Sequence, residues 1–170
     1  MGWAQFRDGD TIFQVRVAGV AVADGRVLLH RLPTEDFWSL PGGRIEVGES
    51  AGDALHREMR EEIDAEVEVG GLLWVIENFF EHAPLDDSGQ RAPTAHHEIG
   101  LYLEMSVPDE VEQRDSLVGI EFAGTEREHR LEFRWFGQDE VGAMDVRPEM
   151  LRDRLASELP PARPLLVRGR

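Results

Sequence analysis

Residues 50–65 read SAGDALHREMREEIDA, and this stretch restricts the fold more tightly than any other. Ala51, Leu55, Met59 and Ile63 recur every fourth residue and line one apolar stripe of a helix. Ser50 followed by Asp53 fits a capping box with Asp in place of the commoner Glu, so the helix is expected over about 51–63. Glu58, Glu61 and Glu62 then share an adjoining arc of roughly 100°, at 3.6 residues per turn. Like charges three and four apart repel by a few tenths of a kcal/mol per pair, so a purely solvating helix has no reason to gather them. Two readings remain open at this point. One is a solvated acidic face in an acidic protein. The other is an oxygen cluster for Mg²⁺ or Mn²⁺, hard cations held by carboxylates, water and phosphate oxygens. Arg57 stands one turn before Glu61 and can pair with it. Asp64 follows the stripe where a helix-ending glycine is usual, and it is read as a terminator with positive φ, outside any metal site.

The rest of the chain sets bounds. Its 170 residues, 41% of them hydrophobic, suit one domain over 1–170, with 159–170 a short Pro/Arg-rich tail. There are 34 acidic residues against 18 basic ones, all Arg, for a net charge of -16. Such a chain is unsuited to a nucleic-acid polymer, while a small polyanion would need divalent cations to mediate. The absence of cysteine excludes disulfides, zinc-thiolate sites and cysteine nucleophiles. The N-terminus has no apolar signal core, and no uncharged run approaches membrane-spanning length. A cytoplasmic protein without a membrane partner is the expectation.

Strand patterns flank an Asp24-Gly25 hairpin turn, followed by a Pro-bounded loop, PTEDFWSLPGG, and a short strand and turn at RIEVGE. After the helix, EVEVGGLLWVIENFF predicts a strand pair broken near Gly70-Gly71. Residues 81–97 have no period and are expected to form a functional or disordered loop. A strand is expected at EIGLYLEMSV, loops with short strands up to LEFRWF, and a final helix from Pro148. This order gives an α/β class, a mixed sheet covered by helices.

The stretch GGRIEVGESAGDALHREMREEIDA resembles the Nudix box of the Nudix hydrolases. Gly43, Glu49, Arg57, Glu58, Met59, Glu61 and Glu62 fall at the positions of that pattern, with Asp64 in place of its last Gly and Ala65 at the last aliphatic position. FWSLPGG and LEFRWFGQDEV are also family-like, so the resemblance extends over nearly the whole chain. It implies an α/β/α sandwich around a central mixed sheet. It also implies Mg²⁺- or Mn²⁺-dependent hydrolysis of a nucleoside diphosphate linked to another group, and it allows a homodimer. The alternative is a non-catalytic nucleotide-binding regulator on the same fold.

The resemblance assigns Glu58, Glu61 and Glu62 as metal ligands, joined by a backbone carbonyl of Gly42-Gly43. Glu49 either acts on a more distant metal or pairs with Arg57, which orients the glutamates. The general base is a box glutamate or a distal acid, for which Glu98 is the candidate. His96 and His97 are adjacent, so in a strand they face opposite sides; a surface or substrate-contact role suits both. Arg16, Arg31 and Arg44 are candidates for binding phosphate or base, and Trp38 and Phe79 for stacking, against surface ion pairs and core aromatics. The ADP-ribose subgroup carries a proline shortly after the box, and Pro84 lies beyond that position. The tyrosine of the diadenosine-polyphosphate subgroup has only Tyr102 as a counterpart, already in the next strand. Neither subgroup is indicated.

Overall fold

The computed structural model describes residues 2–82, 93–114, 116–123, 127–157 and 165–168; over 116–123, 127–129 and 165–168 it describes the backbone alone. Pro84 lies outside the described residues, as does most of the tail. The elements begin with β1 (Gln5–Asp8), β2 (Thr11–Val20), β3 (Val22–Ala23), β4 (Arg26–Arg31) and β5 (Trp38–Ser39). Then come α1 (Ala51–Ile63), β6 (Glu68–His82), β7 (Thr94–Ser106), α2 (Asp109–Glu112) and β8 (Ser116–Ala123). The chain continues through β9 (Arg127–Gly137), α3 (Gln138–Val141), β10 (Val146–Arg147), α4 (Met150–Leu155) and β11 (Leu165–Arg168).

Asp24 and Gly25 take φ of 50° and 71° and turn β3 antiparallel into β4, as the Asp-Gly signal requires. Two mixed sheets form rather than one. The first has the order β1-β2-β7-β6-β11 and the second β10-β5-β4-β9-β8, with β3 on β4. Parallel pairs (β2 with β7, β6 with β11, β5 with β10) sit among antiparallel ones. Adjacent strand residues feed two cores. Val17 and Leu28 pack with Leu55 and Met59 of α1, while Ala18 and Leu29 pack with Trp74 and with Leu151 and Leu155 of α4. Helices therefore cover opposite faces of the strands, an α/β/α arrangement.

Several local expectations are corrected. Glu68–His82 is one strand, not two, and the Gly70-Gly71 region is a pair of register shifts between Val69 and Trp74. A Cβ on Gly70 would crowd the Glu104 side chain opposite, so glycine lets the two strands approach there. Of residues 81–97, expected as a loop, 81–82 end β6 and 94–97 open β7, while 83–92 lie outside the described residues. The stretch expected to be loop with short strands is the antiparallel pair β8 and β9. RIEVGE makes isolated bridges instead of a strand, and the last helix covers only Met150–Leu155. Long-range pairing supplies order that local periodicity does not show. No helix among the described residues is long and apolar enough to cross a membrane.

Candidate metal and phosphate site

The segment before α1 is fastened to the edge of β2. Gly19, Val17 and Ile45 donate backbone N–H to Pro41, Gly43 and Val15 carbonyls at 2.8, 2.9 and 3.1 Å, and Ala4 N–H reaches Ile45 O at 2.7 Å. Arg16 adds its guanidinium, donating to Leu40 O at 3.1 Å and Gly42 O at 3.0 Å. The chain then enters α1 through Ser50, whose Oγ accepts the Asp53 N–H at 3.2 Å. Glycine is required at one position of this segment and leaves room for a carboxylate at the next. Gly42 has φ 138°, and a Cβ there would overlap the Val17 carbonyl; a Cβ on Gly43 would overlap the Glu58 carboxylate. The Glu58 carboxylate thus lies directly against the loop backbone.

At its other end α1 stops at Asp64, with φ 52° and ψ 40°. Asp64 N–H bonds Arg60 O at 3.1 Å, and Ala65 N–H bonds Met59 O at 3.2 Å. This is the left-handed terminator expected from the sequence, made by an aspartate.

Arg57 organises the acids. Its Nε and Nη2 donate to the two oxygens of Glu49 at 2.9 and 3.1 Å, and Nη1 donates to Glu58 at 2.8 Å and Glu61 at 3.3 Å. Nη2 also reaches the Arg44 carbonyl at 3.0 Å, which ties the helix to the loop. Burial raises the Glu49 pKa, but hydrogen bonds from Arg57 and the Glu46 N–H outweigh it and hold the carboxyl below its usual range. At Glu58 burial prevails over Arg57 and pushes the carboxyl up. Glu62, 5% exposed, points inward on the same helix, with an oxygen 3.8 Å from His30 Nδ1. Burial, helped by the Arg16 charge, lowers the His30 pKa to about 3, so this neighbour of Glu62 is uncharged.

Glu98 stands on β7, buried at 5% exposure, and accepts a 2.6 Å hydrogen bond from Gln14 Nε2 on β2. Asn78 is its register partner on β6. Tyr102, two turns of the pleat further on, is pushed above the usual phenol range by burial and then by the Glu98 charge. The Arg16 charge acts on Glu58, His30 and Tyr102 alike.

The other expected substrate residues scatter. Arg44 lays its guanidinium 3.2 Å over the Trp3 ring and donates to Gln5 Oε1 at 3.3 Å. Arg31 pairs with Glu132 at 2.9 Å and covers Trp38 at 4.5 Å. Trp38 is 7% exposed and meets Phe136 edge-on at 4.7 Å, a core position. Phe79 is 50% exposed and stacks on His97 at 4.4 Å, on the sheet face opposite Glu98. Gln14 and His30 escaped sequence reasoning because a single amide or imidazole in a strand carries no pattern.

The donor set is all oxygen: the carboxylates of Glu58, Glu61 and Glu62, with Glu49 behind them. That chemistry would fit Mg²⁺ or Mn²⁺, and Gly43 leaves room for the Glu58 carboxylate beside the loop backbone. Among the described residues no three His, Asp or Glu side chains form a ready-made metal cluster, and Arg57 is the cation that draws Glu49, Glu58 and Glu61 together.

A carboxylate helix fastened by a glycine loop to the edge of a mixed sheet is an α/β arrangement. The chain belongs to the NUDIX domain family, whose family model matches residues 13–156. It is 41% identical to a MutT-like protein of Streptomyces ambofaciens over 68 residues, 39% of this chain and 44% of that protein. It is 40% identical to the CTP pyrophosphohydrolase of Escherichia coli (strain K12) over 58 residues, 32% of this chain and 43% of that enzyme. The chain thus spans less than half the length of these curated relatives. The fold also matches the crystal structure of a NUDIX hydrolase from Nitrosomonas europaea, at TM-score 0.54 and 19% identity over 92% of this chain and 79% of that one.

Proposed function

We propose that this protein hydrolyses the pyrophosphate bond of a nucleoside diphosphate linked to another group, with Mg²⁺ or Mn²⁺ bound on α1. The observation that carries this reading is Arg57 holding Glu49, Glu58 and Glu61 around one guanidinium while Glu58 lies against Gly43. A pyrophosphohydrolase among the partial relatives supports it.

Glu58, Glu61 and Glu62 would hold the cations, with Glu49 behind them and the second lone pairs of the Gly42 and Gly43 carbonyls within the same loop. When bound, such ions offset phosphate charge and acidify water. Arg57 keeps the glutamates in position, a task its planar fork performs through five hydrogen bonds. Glu98, oriented by Gln14, accepts the proton of the attacking water. Arg16 balances charge between Glu58 and the β7 face.

The test is a hydrolysis screen with Mg²⁺ and Mn²⁺ against nucleoside triphosphates, nucleotide sugars, ADP-ribose and dinucleoside polyphosphates, with Mn²⁺ affinity measured separately. Glu58→Gln and Glu62→Gln should abolish turnover and weaken Mn²⁺ binding while unfolding stays cooperative. Substantial activity in both variants would overturn the site assignment.

A further inference from the structure

Residues 2–5, just ahead of and into β1, meet the loop before α1 in a contact that the hydrolytic reading does not use. From Gly43 to Val47 the loop pairs as a strand does, so alternate residues turn their backbone groups to opposite edges. On one edge Gly43 O and Ile45 N–H bond β2, while Ile45 O and Val47 N–H bond Ala4 and Gly2 at 2.7 and 2.9 Å. Val15 N–H donates to Ala4 O at 3.1 Å, so Ala4, Ile45 and Val15 close a ring of three backbone bonds. On the other edge Arg44 O accepts from Arg57 at 3.0 Å, and Glu46 N–H donates to Glu49 at 3.0 Å. Side chains lock the same junction. The Arg44 guanidinium lies 3.2 Å over the Trp3 ring and donates to Gln5, and Trp3 is the bridge partner of Glu46. Residues 2–5 lie outside 13–156, the span that the family model matches.

We infer that residues 2–5 are a strap that sets the cation affinity of α1, with Trp3 as its positioning residue. This deepens the proposed function and rests on it. Trp3 clasps the Arg44 guanidinium and so keeps the Arg44 carbonyl on Arg57, which gathers Glu49, Glu58 and Glu61. The guanidinium of Arg57 is a planar fork, so a shift of its carbonyl acceptor passes to the carboxylates on its other nitrogens. A cation site works only while its ligands stay within about 0.5 Å of their places, so a small shift there is felt as lost affinity. Arg44 is on this reading a loop anchor, its charge engaged by an aromatic face and an amide, and not a phosphate ligand.

Mn²⁺ affinity of the full chain, read by electron paramagnetic resonance, tests this without requiring turnover. Trp3→Ala should weaken Mn²⁺ about 3- to 10-fold, less than the 10- to 100-fold typical of a residue bonded to the ligands themselves. Trp3→Phe keeps an aromatic face for Arg44 and should restore most of the affinity. Arg44→Met empties that face but keeps the backbone carbonyl, so it should match Trp3→Ala, and it serves if Trp3→Ala fails to fold. A raised KM in Arg44→Met with unchanged Mn²⁺ affinity would make Arg44 a phosphate ligand and overturn the strap. In an Arg57→Gln background Trp3→Ala should change Mn²⁺ affinity by less than about twofold, because the two residues act along one path. An undiminished loss in that background would also overturn it. Phe6→Leu, at an exposed ring on β1, is the control that costs stability without moving Mn²⁺. Wild-type Mn²⁺ binding that neither Trp3→Ala nor Arg44→Met moves would end the strap and leave the hydrolytic reading standing. A wild-type chain that binds no Mn²⁺ would end both.

Discussion

Gln14 Nε2 on β2 donates to Glu98 Oε2 on the parallel neighbour β7 at 2.6 Å, a contact between buried groups 84 residues apart in the chain. The in-register pairing of the two strands puts the amide directly beside the carboxylate. With one oxygen of Glu98 held in this way, the other is left to act. Gln14→Leu leaves a buried charged acceptor without this donor, which costs about 1–3 kcal/mol. Thermal unfolding should show that loss. In steady-state kinetics kcat should fall about 10- to 100-fold with KM little changed, the size typical of losing a group that orients a reacting one. A fall in KM alone would deny Gln14 the orienting role.

Arg57 is bonded to Glu49 through both oxygens and to Glu58 and Glu61 through Nη1. Arg57→Gln removes the shared cation and leaves three carboxylates to repel one another. Mn²⁺ affinity, read by electron paramagnetic resonance, should drop about 10- to 100-fold. Arg57→Lys should recover only part of this, because a point charge cannot reproduce the bidentate Glu49 pair.

Asp64 holds φ 52° and ψ 40° at the end of α1. A β-branched residue is strained there, so Asp64→Val should lower stability by about 1–2 kcal/mol. Asp64→Gly should not destabilise, since glycine takes this conformation freely. Denaturant unfolding of both variants is the measurement, and Mn²⁺ affinity should be unmoved in each because the carboxylate is outside the site.

His30 is buried with its pKa lowered from 6.5 to about 3, by burial and then by Arg16. Between those values the unfolded chain binds a proton that the folded chain does not. Stability therefore falls as pH drops from about 6.5 toward 3, with a slope of about 1.4 kcal/mol per pH unit for one proton. His30→Gln should remove one proton's worth of that slope. Unfolding free energies between pH 7 and pH 4 would reveal it, and parallel curves for the two proteins would show that His30 is not the group responsible.

Much of the candidate site was legible in local sequence. The period of Ala51, Leu55, Met59 and Ile63 and the Ser50-Asp53 cap are local facts, and α1 occupies the span they predict, Ala51–Ile63. The left-handed conformation at Asp64 follows from the few residue types that adopt it. The spacing of Gly43, Glu49, Arg57, Glu58, Glu61 and Glu62 identified the family through one loop and one helix.

Tertiary structure decided what depends on register and on contacts between distant segments. The β6 sequence looks like two strands because its bulges interrupt the alternation, and only pairing with β7 shows it to be one. That same register selects Phe80, not Phe79, for the face of Glu98, since a shift of one residue sends a side chain to the opposite side. Gln14 reaches Glu98, and His30 approaches Glu62, across separations that no periodicity reports. A helix is specified by interactions three and four residues long, so its sequence determines it. A sheet face is specified by its neighbours, so only the assembled fold determines which of its residues meet.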